Sequence, residues 1–172
     1  MHGAISGFFH EGGGRPVILG RGSIVPARGQ GSIEAMRREW FTALLAGGQI
    51  GSPRVVFDLA GDDPEAFHKP TLAVIGHIHR FAGAYPFWKM RPVRESVDGA
   101  YLAMTPDGGQ AALYWPAAQG RRALTVDIAR RADVEPGTRY RLRWFNPATG
   151  GFAPERHVSV DSDGRLTLQP PP

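Results

Sequence analysis

Apolar residues change their rhythm near residue 85. From Ile33 onward, Met36, Trp40, Phe41, Leu44 and Leu45 recur in steps of three and four, the period of a helix with one buried face. Ser32 stands where an N-cap belongs, and Gly47-Gly48 where such a helix stops. A second helical pattern begins at "DDPEAF", with Asp63 as cap and Pro64 in the first helical position. Pro70 is expected to break that start, so the main helix is predicted over 71–82 with Leu72, Ile75 and Ile78 inward. The short apolar runs "RPVILG" and "RVVFDLAG" precede these two helices and read as strands covered on both faces. Strand, helix, strand, helix is the order of two βα units of a parallel sheet.

From Pro86 onward the period drops to two. "GAYLAMTPDGGQAALYWP" is a hairpin whose turn, Pro106-Asp107-Gly108-Gly109, holds residues that accept turn backbone angles. "ALTVDIA" sets Leu124, Val126 and Ile128 against Thr125 and Asp127, and "RYRLRWF" sets Tyr140, Leu142 and Trp144 against Arg139, Arg141 and Arg143. "HVSVDSDGRLTLQP" reads as a closing hairpin around Asp163-Gly164. Regular alternation with regular turns predicts an antiparallel β-sandwich. The predicted domains are therefore 1–85, built of two βα units, and 86–172, the sandwich. The second is expected to fold alone.

Charge and composition narrow the function classes. The net charge is +4 and the basic side chains are arginines apart from Lys69 and Lys89, but they are spread along the chain, not gathered in a stripe, so nucleic acid is not the expected partner. With no cysteine there is no disulfide and no thiolate metal site. No apolar run has the length of a membrane span. The start "MHGAISGFFHEGGG" lacks the pattern of a signal peptide, and the compartment stays open.

The segment from Phe87 to Leu168, above all "YLAMTPDGGQAALYWP" and "WFNPATGGF", resembles the β-sandwich named as a collagen-binding domain that follows the barrel in a family of bacterial glycoside-hydrolase-like proteins. Upstream, "RPVILG" and "MRREWFTALLAGG" resemble the last two βα units of that (β/α)8 barrel. The resemblance implies a mixed fold: a C-terminal antiparallel β-sandwich preceded by two βα units of an incomplete (β/α)8 barrel. In barrels of this kind the strand resembling "RPVILG" delivers a catalytic glutamate at its C-terminal end, where barrel active sites sit. Arg21 holds the matching position, and a guanidinium does not deprotonate to serve as nucleophile or base. Glycoside hydrolysis needs two flanking carboxylates. No catalytic residue is therefore assigned, and Arg21, Ser23 and Asp58 are read as barrel-mouth residues, with Arg21 paired to a carboxylate such as Asp58.

Other constellations carry less. His77 and His79 are two apart and His68 stands earlier, which is not the spacing of a helical zinc site, so neither metal nor cofactor is expected. Gly12, Gly13 and Gly14 precede a strand instead of following one and read as a linker, not a phosphate loop. No nucleophile elbow supports a triad built on Ser23 or Ser32. The ligand-binding candidates are Tyr101 and Tyr114, on the faces opposite Leu102, Met104 and Leu113, with the outward row Arg139, Arg141 and Arg143. Trp115 and Trp144 are assigned to the core, and "NPATG" to a structural turn. The expected function is a non-catalytic accessory part of a glycoside-hydrolase-like protein with a polysaccharide or matrix ligand. The alternative is a hydrolase fragment that acts only with the missing barrel portion. Two strands with only two helices to cover them also point to docking on the sandwich or to self-association.

Overall fold

Helix α1 (Gln30–Leu45) follows from the first periodic stretch, and its apolar stripe is buried: Met36, Trp40, Phe41 and Leu45 lose nearly all contact with solvent. The structure is a computed structural model and describes residues 10–11, 17–19, 30–50, 64–93, 99–116 and 123–171. The helix closes where Gly47 takes φ +81°, donating its N–H to the Leu44 carbonyl at 3.1 Å. Directly after that turn, β2 (Gly48–Ile50) runs parallel to β1 (Val17–Leu19), with Val17 opposite Gly48 and Leu19 opposite Ile50. One parallel pair with its crossover helix is thus formed. The expected partner strand "RVVFDLAG" lies outside the described residues.

Helix α2 spans Pro64–Gly83, starting at Pro64 as expected. Pro70 does not break it. That proline removes one backbone N–H from the helix, but Thr71, Val74 and Phe81, all buried, lock the turns that follow. Their spacing also corrects the inward face: Leu72 stands one residue off the stripe and is 57% exposed, whereas Val74 packs with Met36 and Trp40 of α1.

After a 3-10 turn (Phe87–Lys89), the remaining elements are antiparallel. β3 (Arg91–Pro92), β4 (Tyr101–Met104) and β5 (Ala111–Tyr114) form one sheet in that order. β6 (Leu124–Asp127) pairs with β11 (Arg165–Leu168), β7 (Arg139–Leu142) with β10 (Arg156–Ser159), and β8 (Phe145–Asn146) with β9 (Gly151–Phe152). The ladders are small, of two or three strands each. The chain is a mixed α/β protein with mostly antiparallel strands.

The closing segment departs from the predicted hairpin. Asp161 makes the tight turn, its Oδ1 accepting from the N–H groups of Asp163 and Arg165 at 3.0 and 2.8 Å. Its two arms then separate, β10 to β7 and β11 to β6. Local turn chemistry makes the reversal; the partners are chosen by which strand buries Leu166 and Leu168 beside Leu124 and Val126.

The β4–β5 hairpin joins the two parts of the chain. Leu102, Met104 and Leu113 face a core made by Trp115, Leu124, Val126, Ile128, Val160, Leu166 and Leu168. Tyr101, Ala103, Ala112 and Tyr114 face the other way, into a cluster with Phe41, Leu45, Phe81 and Met90. The change of period at residue 85 is therefore not a boundary between cores.

Candidate binding cleft

Turn chemistry positions one end of the site. Thr105 and Gln110 close the β4–β5 turn with a 2.9 Å backbone bond, and the Thr105 hydroxyl oxygen accepts from the Gln110 N–H at 3.0 Å. Asp107 Oδ1 accepts from the Gly109 N–H at 3.0 Å. The Thr105 hydroxyl, then this N–H, hold the Asp107 carboxyl below its ordinary range. Gly108 takes φ +69° at the apex, where a side chain would run into Val134 and Ala132. Its carbonyl accepts the Tyr140 hydroxyl at 2.8 Å. That bond ties the β4–β5 turn to the start of β7, across more than thirty residues of sequence.

Between β5 and β7 the two ladders do not meet, and a cleft of about 1210 Å³ runs along the gap. One wall is Gly109–Trp115 and the other Arg139–Pro147, with Leu166 and Leu168 at depth and Tyr85 and Phe152 toward the helices. Alternation along β7 assigns its side chains: Tyr140 and Leu142 turn into the core, and Arg139 and Arg141 turn out and are exposed. Arg143 continues the outward row, its guanidinium 4.2 Å above the centre of the Phe152 ring. Across the ladder, Ser159 pairs with Arg139 and His157 with Arg141. Glu155 is the one acidic side chain among the described residues that line the cleft. Two indoles also line it, and the buried Nε1 atoms of both Trp115 and Trp144 have no hydrogen-bond partner.

Of the residues singled out in the sequence, Arg139, Arg141, Arg143 and Tyr114 come together at this cleft. Tyr114 is not an outward platform, however. Its ring stacks on Phe41 with centroids 5.4 Å apart, and burial raises the phenol pKa against the lowering pull of Arg38 and Arg37. Tyr101 is its cross-strand partner and joins the same cluster, so the hairpin face expected to meet ligand meets helices instead. Trp115 and Trp144 belong to the core as predicted, although the cleft reaches them. Arg21, Ser23 and Asp58 lie outside the described residues, as do Gly12 to Gly14 and the side chains of Ser32 and His68.

The "NPATG" turn has a docking role that its sequence does not show. Asn146 Oδ1 accepts from the Ala148 N–H at 2.8 Å, closing the turn. His77 of α2 then donates from Nδ1 to the Pro147 carbonyl at 3.1 Å, and Arg80 donates to the Gly150 carbonyl at 3.1 Å. Among the described residues no group of three His, Asp or Glu side chains could hold a metal ion, and no described helix is long and apolar enough to cross a membrane. Trp88 is 81% exposed, a position not singled out from the sequence because the adjacent aromatics of "PFWKM" show no period that separates Trp88 from Phe87.

No family model matches the chain, and no solved structure matches it. Among curated proteins it is similar to the "Ribosome biogenesis protein ERB1" of Malassezia globosa, 39% identical over 92 residues. That likeness takes in 52% of this chain but only 10% of the fungal protein, so the chain spans about a tenth of the length of the curated relative it matches.

Proposed function

We propose that this chain is the non-catalytic, glycan-binding part of a glycoside-hydrolase-like protein. In this reading β3 to β11 form a sandwich appended to a barrel, of which β1, α1, β2 and α2 are the closing units. The observation that carries it is the lining of the cleft between β5 and β7. Aromatic rings (Tyr114, Trp115, Tyr140, Trp144) and three arginines stand around an open slot of about 1210 Å³. The rings give the slot an apolar floor, while guanidinium and indole N–H groups suit sugar oxygens. Among the described residues the lining holds one carboxylate, Glu155, and hydrolysis would ask for two.

A panel of polysaccharides in affinity gels, run beside aryl glycosides as substrates, tests the reading. Retardation by at least one glycan with no turnover is the expected result. Turnover by the homogeneous chain, or no retardation by any glycan, would overturn it. The parallel pair β1–β2 favours a second reading, in which the chain completes a hydrolase with a separate barrel portion. Activity that appears only on adding that portion would support it.

A further inference from the structure

Resting on the glycan-binding reading, we infer that the cleft selects an anionic polysaccharide, one carrying carboxylate or sulfate groups on successive sugars. Alternate residues of an extended strand stand roughly 7 Å apart on one face, so Arg139 and Arg141 share the exposed face of β7, and Arg143, exposed just past the strand's end, lies on the same wall of the cleft. Among the described residues none of the three is in an ion pair. Their only acidic company on the lining is Glu155, and His157 lies beside Arg141 on the same face. Three like charges so close together repel one another, and among the described residues no ion pair compensates them. A ligand with repeated anionic groups supplies that compensation, and each guanidinium offers the paired donors that carboxylate and sulfate accept.

A second observation points into the same cleft. Trp115 is 6% exposed and its indole N–H has no acceptor, and the Trp144 indole N–H is in the same condition. A buried donor without a partner is unfavourable, and both line the slot in which ligand oxygens would lie. Arg143 is also held in place before any ligand arrives, by the Phe152 ring beneath it. The row is thus partly preorganised, which lowers the ordering cost of binding.

The test uses the full chain in affinity gels containing dextran, dextran sulfate, neutral arabinoxylan, or polygalacturonate. Retention by the charged members of the set is expected, with the carboxylated and sulfated polymers showing which anion is preferred. Arg141→Gln/Arg143→Gln should weaken that retention by about tenfold or more, while Arg130→Gln/Arg165→Gln, which removes the same charge from exposed positions off the cleft, should leave it within about twofold. Far-UV circular dichroism and the melting temperature of each variant establish that the fold is intact. Equal loss in both double variants would reduce the effect to net charge and overturn the inference. Retention by neutral dextran or arabinoxylan alone would overturn it too, and would leave the glycan-binding reading standing. Absence of retention by every polysaccharide, with binding to single-stranded RNA instead, would remove both.

Discussion

Gly150 sits at φ +69°, and a β-carbon there would run into the His77 imidazole, so both backbone angle and space exclude a side chain. Gly150→Ala should therefore destabilise the chain by about 1–3 kcal/mol, read as a drop in urea midpoint, and His77→Ala should recover part of the loss by clearing the space. If alanine is tolerated at 150, the docking of the 146–150 turn on α2 is not as described. Buried phenols make a second prediction. Tyr85, Tyr114 and Tyr140 are each held above the ordinary pKa of 10.0, by burial first, with the Asp107 charge adding to the rise at Tyr140. A proton held more tightly in the folded state adds stability that is complete below the unfolded value and is lost as pH climbs through the folded one. The urea midpoint should accordingly fall as pH rises past about 10, and less steeply in Tyr85→Phe/Tyr114→Phe. A midpoint that stays level to about pH 11.5 would contradict this. None of these pairings was legible in the sequence. A glycine in "NPATG" announces a turn through its own backbone, but His77 is about seventy residues away and nothing local couples the two.

The β4–β5 hairpin shows what periodicity can and cannot convey about an element. Alternation correctly separates Leu102 and Met104 from Tyr101 and Ala103, and the turn residues correctly place the reversal. Period two says that the faces differ, though not that one of them is wet. Here both are buried, the second under Phe41 and Phe81, because Ala103 and Ala112 stand opposite each other and leave room for the helices to approach. Ala103→Leu should thus be costly, by about 1–3 kcal/mol from overpacking, whereas on a solvated face the same change would be close to neutral. A thermal melt distinguishes the two outcomes. Helix α2 repeats the lesson in another form. Pro70 carries a true local penalty, one lost hydrogen bond, yet local preference is a weak prior against tertiary burial of Thr71, Val74 and Phe81. For α1 the stripe from Ile33 and the glycine stop agree with the observed helix, which ends at Leu45 just before that stop, but it begins at Gln30, so Ser32 lies within its first turn and not at its cap.

At the scale of the molecule, the sequence carried the two rhythms and missed their union. Cleft and shared core both depend on strands and helices far apart in the chain, and residue patterns carry no information on which distant ladder lies beside which. Phe41 is the centre of that union: its ring lies 5.4 Å from Phe81, 5.4 Å from Tyr114 and 5.9 Å from Phe145, touching α2, β5 and β8 at once. Burying an aromatic of this size dominates a local cluster, and Phe41→Ala should cost about 3–5 kcal/mol. The distribution of that cost is the informative quantity. If α1 were a separate unit docked on an independent sandwich, only amides in Met36–Leu45 would exchange faster in the variant. If helices and hairpin open together, amides of Tyr101–Met104 and Ala111–Tyr114 should lose the same protection as those of α1, because the hairpin's second face is solvated at the same moment. Native-state hydrogen exchange on Phe41→Ala should show the second pattern, with Leu124, Val126 and Leu166, which pack on the hairpin's first face, following at a smaller loss. Unchanged exchange across β4 and β5 would show that the strands after Pro86 stand without the helices.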